Sequence, residues 1–210
     1  MANTHLLSWL LLLVEGFATL AFALSGLLQA ARKQLDAVGV CVVAGLAAFG
    51  GGTLRDVLLD RRPFVWVAHP EWLWGLLLLC VLAMAFLRVR HFAPTEQAMQ
   101  WPDALGLGLF TATGTQLALA QDLPALVAVL MGVITATFGG VLRDIVCNEI
   151  PTALRDHRPY AVCAFVGSWV LVLCTHYGVA AEIALLVGAG TAAGLRTLAL
   201  LTDFTLPRWS

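Results

Sequence analysis

Gly51-Gly52-Thr53-Leu54-Arg55-Asp56 returns 88 positions later as Gly139-Gly140-Val141-Leu142-Arg143-Asp144. Each copy lies inside a long apolar run, where a glycine pair weakens a helix and an ion is costly to desolvate. The same ungapped shift pairs Phe22 with Phe110, Gly26 with Gly114, Pro63 with Pro151 and His69 with His157. Two halves therefore share one plan: repeat one over about 6–90, repeat two over about 94–178, and an extra segment at about 181–201 outside the duplication.

Hydrophobic residues make up 60% of the chain and charged residues 12%. That is about half the usual charged share, so most of the surface must face lipid or a packed helix. The composition predicts an all-α integral membrane protein forming a single membrane domain over residues 1–210. A net charge of −1 with no basic block argues against a nucleic-acid partner. Cys41, Cys80, Cys147, Cys163 and Cys174 are odd in number and form no C-x-x-C pair, which reads as small buried hydrophobes. Leu10 to Val14 followed by Ala21-Phe22-Ala23 imitates a cleavable leader. No cationic start precedes it and Glu15 interrupts the run, so a retained first span is expected.

A bilayer-crossing helix needs about 20 mostly apolar residues. Seven segments qualify, at roughly 6–28, 37–60, 72–88, 103–120, 124–147, 160–177 and 181–201, separated by short breaker-rich links. Arg32, Lys33, Arg88, Arg90, Arg155, Arg158 and Arg208 collect on one face, against Arg61 and Arg62 on the other. By the positive-inside rule the N-terminus is expected outside and the C-terminus in the cytoplasm. Three crossings per copy turn the second copy over, giving inverted repeats, an arrangement used by transport proteins. In the seventh span, Gly190-x-x-x-Gly194 is expected to let a neighbouring helix approach closely.

Span 2 carries Gly45 and then Gly50-Gly51-Gly52, and span 5 carries Gly132 and then Gly139-Gly140. Their recurrence predicts that both helices break there, turning freed carbonyls and N–H groups toward a pathway. The plainer alternative is close helix packing. Arg55-Asp56 and Arg143-Asp144 follow the breaks. Adjacent helical residues diverge by about 100°, so each arginine is expected to find another partner. The candidates are Arg55 with Asp144 and Arg143 with Asp56 across the pseudo-two-fold axis, or the opened carbonyls. Snorkelling to the headgroups is the alternative.

Glu15 lies deep in span 1 and its repeat mate is Asp103. An intramembrane carboxyl points to a functional site, or else to a protonated structural tie. Ser25-Gly26 and Thr113-Gly114 also correspond, giving Ser25 and Thr113 more weight than the other hydroxyls of spans 4 and 5, which usually bond their own backbone. No catalytic or nucleotide-binding motif occurs, and the five histidines lack ligand spacing. Neither an enzyme, a cofactor nor a fixed metal site is expected. Tryptophans 9, 66, 72, 74, 101, 169 and 209 stand mostly near span ends, as in an interfacial belt.

Glu15-Gly16, Ala21 to Gly26, the run Phe49 to Asp56, and Phe138 to Asp144 followed by Asn148-Glu149-Ile150-Pro151 resemble the bacterial branch of the trimeric intracellular cation (TRIC) channel family over nearly the whole chain. Bacterial relatives also carry a glycine-transporter label. The resemblance implies a homotrimer in the inner (plasma) membrane, with one pathway per protomer lined by spans 1, 2, 4 and 5 and selective for small cations such as potassium. It places the pathway at Gly50, Gly51, Gly52, Gly139 and Gly140, with Phe138 standing where a third glycine would complete the second motif and able to narrow or gate the route. The leading expectation is a potassium-permeable channel, in which carbonyls at the breaks replace ion hydration and Glu15 offsets charge. The alternative is a transporter of glycine or a similar small amino acid, whose carboxylate would sit at a half-helix N-terminus near Gly52-Thr53. A scaffold without transport would leave the recurring arginine and aspartate unexplained.

Overall fold

The computed structural model describes residues 2–90, 95–155 and 157–207. The side chains of Arg88, Arg90, Arg208 and Trp209, used above for orientation and the belt, lie outside the described set. Among the described residues there are nine helices and no strand. They are α1 (Ala2–Arg32), α2 (Ala37–Leu58), α3 (Val65–Ala68), α4 (Glu71–Arg90), α5 (Glu96–Leu119), α6 (Ala125–Val146), α7 (Thr152–Arg155), α8 (Ala161–His176) and α9 (Ala181–Thr202). The seven longer ones stand where the sequence predicts spans, and the short α3 and α7 occupy the corresponding link of each repeat.

By length and hydropathy, α1, α2, α6 and α9 can each cross a membrane. Helix α5 begins at Glu96 instead of 103, because Thr95 caps it by accepting from the Ala98 N–H and Glu96 suits the positive end of the helix. Though long, α5 carries Gln100, Asp103 and Gln116, all buried. It tolerates them by packing against α1, α6, α8 and α9, so these groups face protein and not lipid.

The duplication is visible as two-fold symmetry. A Cβ on Gly51 would stand 2.1 Å from the Thr135 carbonyl oxygen, and one on Gly139 would stand 2.3 Å from that of Ala47. Residues 51 and 139 are repeat mates, and so are 47 and 135, so each contact is the other's image, the signature of an isologous interface. Rising numbers on α2 meet falling numbers on α6, so these helices cross antiparallel. Gly26 against Val43 and Ala47 repeats as Gly114 against Met131 and Thr135. Phe22 stacks on its own mate, Phe110, at 5.5 Å between centroids. Even the helix ends correspond: Gln34 and Asp122, and again Asp60 and Asn148, adopt left-handed φ values between 49° and 55°. The next N–H then reaches back to close the last turn, Leu35 to Ala30 and Leu123 to Ala118, Arg61 to Asp56 and Glu149 to Asp144.

Two expectations are corrected. Helices α2 and α6 run unbroken through Gly50-Gly51-Gly52 and Phe138-Gly139-Gly140. Unwinding would strand backbone polar groups, whereas a continuous helix satisfies them and lets the glycines bring two backbones into contact. The intrinsic cost of about 1 kcal/mol per glycine is offset by an approach that no side chain permits. Likewise, Gly190 and Gly194 do not seat α9 within the protomer: among the described residues, no atom beyond the helix's own adjoining backbone lies within 4 Å of a Cβ built on either. Helix α9 is seated instead by Ala189 and Ala193 on Gly108, and by Gly188 and Ala192 on Gly167.

Gly51→Ala or Gly139→Ala should therefore force α2 and α6 apart and cost about 1–3 kcal/mol, as overpacking does. Gly190→Ala should cost nothing. Thermal unfolding of the three purified variants in detergent makes the comparison.

Candidate functional site

Each repeat buries one arginine between two acids. In repeat one the Arg55 guanidinium, fully buried, donates from Nη2 to Glu15 Oε1 at 2.6 Å and from Nε to Asp56 Oδ1 at 2.9 Å. Arg61 reaches the same Asp56 oxygen at 3.4 Å. In repeat two Arg143 donates from Nη1 to Asp103 and Ser25, and from Nε to Asp144 Oδ1 at 2.8 Å. The clusters are repeat images: Glu15 with Asp103, Arg55 with Arg143, Asp56 with Asp144.

The expected cross-axis pairs, Arg55 with Asp144 and Arg143 with Asp56, are therefore corrected, as are pairing with opened carbonyls and snorkelling. Neighbouring Cβ atoms do diverge, but the arginine stem is long enough to fold back. Its Nε edge then meets the short aspartate while the outer edge spans to α1 or α5. A planar fork serving two carboxylates is a geometry that arginine supplies and lysine does not.

Burial makes these pairs consequential. A guanidinium or carboxylate taken from water loses several kcal/mol of solvation, which pairing repays only if the remaining polar atoms are also satisfied. Repeat two satisfies them: Asp144 Oδ2 accepts from the Thr152 N–H at 2.7 Å and hydroxyl at 2.9 Å, and Asp103 Oδ2 accepts from the Tyr160 hydroxyl at 2.7 Å. Repeat one is less complete. Arg55 Nη1 is buried without a partner. Glu15, Thr19, Gly52, Thr53 and Asp56 border a small cavity walled by Trp66 and Trp72, with room for roughly one water.

The glycines divide their work. Gly51 and Gly139 make the helix crossing, whereas Gly52 and Gly140 face the ions. A Cβ on Gly52 would lie 3.6 Å from Glu15 Oε1, and one on Gly140 would lie 3.2 Å from the Tyr160 hydroxyl. Gly50 sits against Leu142 of α6. Phe138 is half-buried on α6, outside the hydrogen-bonded group. Ser25 joins the Arg143 cluster, but its mate Thr113 bonds the Phe110 carbonyl of its own helix. Tyr160, Thr152 and Arg61 escaped the sequence reading. The register that aligned Arg55 with Arg143 gives no signal for the first two, since it sets Tyr160 against Trp72 and Thr152 against Phe64.

Charges also close one end of the bundle. Lys33 pairs with Glu149 at 2.6 Å, and Arg32 and Arg155 share Glu96. The hydrogen bond from Lys33 holds the Glu149 carboxyl below its usual range. Its folded pKa is depressed, so this tie between α1 and the end of α6 contributes at neutral pH and is lost as pH falls through the lowered value.

The fold and site define a helical membrane protein of two inverted repeats, each with a buried arginine between two acids. A family described as Glycine transporter matches residues 12–88 and again 100–176, two stretches in the same 88-residue register. A UPF0126 membrane protein of Vibrio cholerae is 34% identical over 214 residues, covering 100% of this chain and 87% of its own. The UPF0126 inner membrane protein YadS of Escherichia coli is 33% identical over 193 residues, covering 91% and 92%. The solved TRIC trimeric intracellular cation channel orthologue from Rhodobacter sphaeroides is 34% identical with a TM-score of 0.84, covering 92% of this chain and 98% of that one. The chain belongs to the TRIC family, and it is a membrane protein.

Arg143→Met strands two enclosed carboxylates and should cost about 3–5 kcal/mol. Arg55→Met leaves Asp56 with Arg61 and Glu15 beside a cavity, so it should cost less. Denaturation in detergent ranks the two, and a larger loss for Arg55→Met would contradict this description of the clusters.

Proposed function

We propose that the protein is a cation channel of the bacterial inner membrane, acting as a homotrimer with one route through each protomer. The observation that carries this reading is the pair of symmetry-related clusters, in which two carboxylates surround each arginine. Ionised, the repeat-two trio carries an excess negative charge inside an apolar bundle, and in repeat one Glu15 adds a carboxylate whose excess the partly exposed Arg61 offsets from the edge, an arrangement that favours a cation over an anion. The arginines are no obstacle, because each is already neutralised by its own acids. Gly52, without a side chain, leaves backbone-lined space beside Glu15, whereas Gly140 is packed against the Tyr160 hydroxyl.

On this reading the route passes Glu15, Arg55 and Asp56 in one half and Asp103, Arg143 and Asp144 in the other. Gly50 to Gly52 and Phe138 to Gly140 flank it, with Ser25 and Thr113 nearby. The permeant species is a small monovalent cation, potassium first, and no catalytic step or resident cofactor is involved. All seven longer helices cross the bilayer, with the N-terminus outside. Arg32, Lys33 and Arg155 meeting at one end of the bundle supports a cytoplasmic assignment for that end. The similarity to a solved TRIC cation channel supports the channel reading. The glycine-transporter description supports the alternative by name, but a glycine carboxylate held at a half-helix N-terminus needs a break at Gly52-Thr53, and α2 is continuous there.

Proteoliposomes containing the purified protein should carry potassium under an imposed voltage and show no saturable uptake of labelled glycine. The reverse result would overturn the channel reading. Glu15→Gln or Asp103→Asn should each lower potassium-over-chloride selectivity by about tenfold, the effect of roughly 1.4 kcal/mol at one cluster.

A further inference from the structure

The halves match in backbone across the two-fold axis, yet their acids are not equally held. Asp103 receives Arg143, Ser25 and the Tyr160 hydroxyl. In repeat one Trp72 stands at the position of Tyr160 and Phe64 at that of Thr152, so neither residue offers a hydroxyl. Trp72 instead forms a wall of the cavity beside Glu15. One half is thus closed by polar saturation and the other retains space next to its acid.

Tyr160 is itself held from outside the duplication. Arg196 of α9, buried to 1% exposure, sets its guanidinium carbon 4.9 Å from the centroid of the Tyr160 ring. Its Nη1 donates to the carbonyls of Pro159 at 2.9 Å and Arg158 at 3.3 Å, the two residues leading into Tyr160. A cation over a ring face, combined with hydrogen bonds to the preceding backbone, fixes the ring where its hydroxyl meets Asp103 Oδ2. Helix α9 has no mate in repeat one, so only repeat two has this support.

We propose that Arg196 is a positioning residue for the gate of the route: through Tyr160 it keeps Asp103 occupied, so the repeat-two half opens only when that hydroxyl leaves the carboxylate. The inference rests on the channel reading and adds to it a gate and the element that sets it. Any cation passing Asp103 competes with the Tyr160 hydroxyl for the same oxygen. The Glu15 half imposes no such exchange, because its free space is already beside the acid.

Single-channel recording in planar bilayers tests this with Tyr160→Phe, which removes one oxygen and keeps the ring, and with Arg196→Gln and Arg196→Lys. Tyr160→Phe and Arg196→Gln should each raise open probability about five- to tenfold, the loss of one hydrogen bond in the closed state, while unitary conductance stays within twofold. The double variant should show no further increase, and Arg196→Lys should return toward the wild type. Hydrogen exchange supplies a readout independent of current: amides 163 and 164, which bond the Tyr160 carbonyl, should exchange faster in Arg196→Gln than in Arg196→Lys. Wild-type currents with unchanged gating in Tyr160→Phe, or additive effects in the double variant, would overturn the gate. A wild type without cation current would overturn the channel reading and the gate with it, and the exchange rates would then decide the positioning role alone.

Discussion

An arginine sealed inside an apolar bundle must bring its own counter-ions, and this requirement organises the protein. Arg55 and Arg143 are among the largest fully buried side chains, and each is engaged by an acid from the next residue and another from a different helix. The second acid ties α2 to α1 and α6 to α5. Glycine at 52 and 140 makes room for the ions, and glycine at 51 and 139 brings α2 and α6 together across the axis. The motif that recurs in the sequence is thus a single device, a helix crossing with an ion cluster about one turn further on.

The sequence made the architecture legible because the duplication is ungapped. The 88-residue register anticipates the Phe22–Phe110 stack and the matched helices, and it extends to the left-handed residues ending α1, α2, α5 and α6. The broken helices were misread for a physical reason. A glycine run reports that a side chain is unwelcome, and a close-packed helix crossing and an unwound segment exclude it equally. Choosing between them requires knowing what lies opposite, here the carbonyls of Ala47 and Thr135, which belong to the other repeat.

The ion partners were illegible on similar grounds. Reasoning from Cβ directions excluded the Arg55–Asp56 contact, but the reach of a guanidinium is set by its stem and not by its Cβ. The correspondence of Glu15 with Asp103 held the needed information, since two acids at equal offsets from two arginines suit a pair within each half. Differences between the halves matter as much as the symmetry. Tyr160 against Trp72 and Thr152 against Phe64 make one cluster enclosed and the other adjacent to space, so inverted repeats with one backbone plan can give a route whose two ends behave differently.

That each repeat neutralises its own arginine is tested most directly by double-mutant cycles on stability, pairing Glu15→Gln with Arg55→Met and Asp103→Asn with Arg143→Met, and then exchanging partners across the axis. The account predicts coupling of about 1–3 kcal/mol within each repeat and additivity to within about 0.5 kcal/mol for Glu15 with Arg143 and Asp103 with Arg55. Coupling across the axis as large as that within the repeats would contradict it.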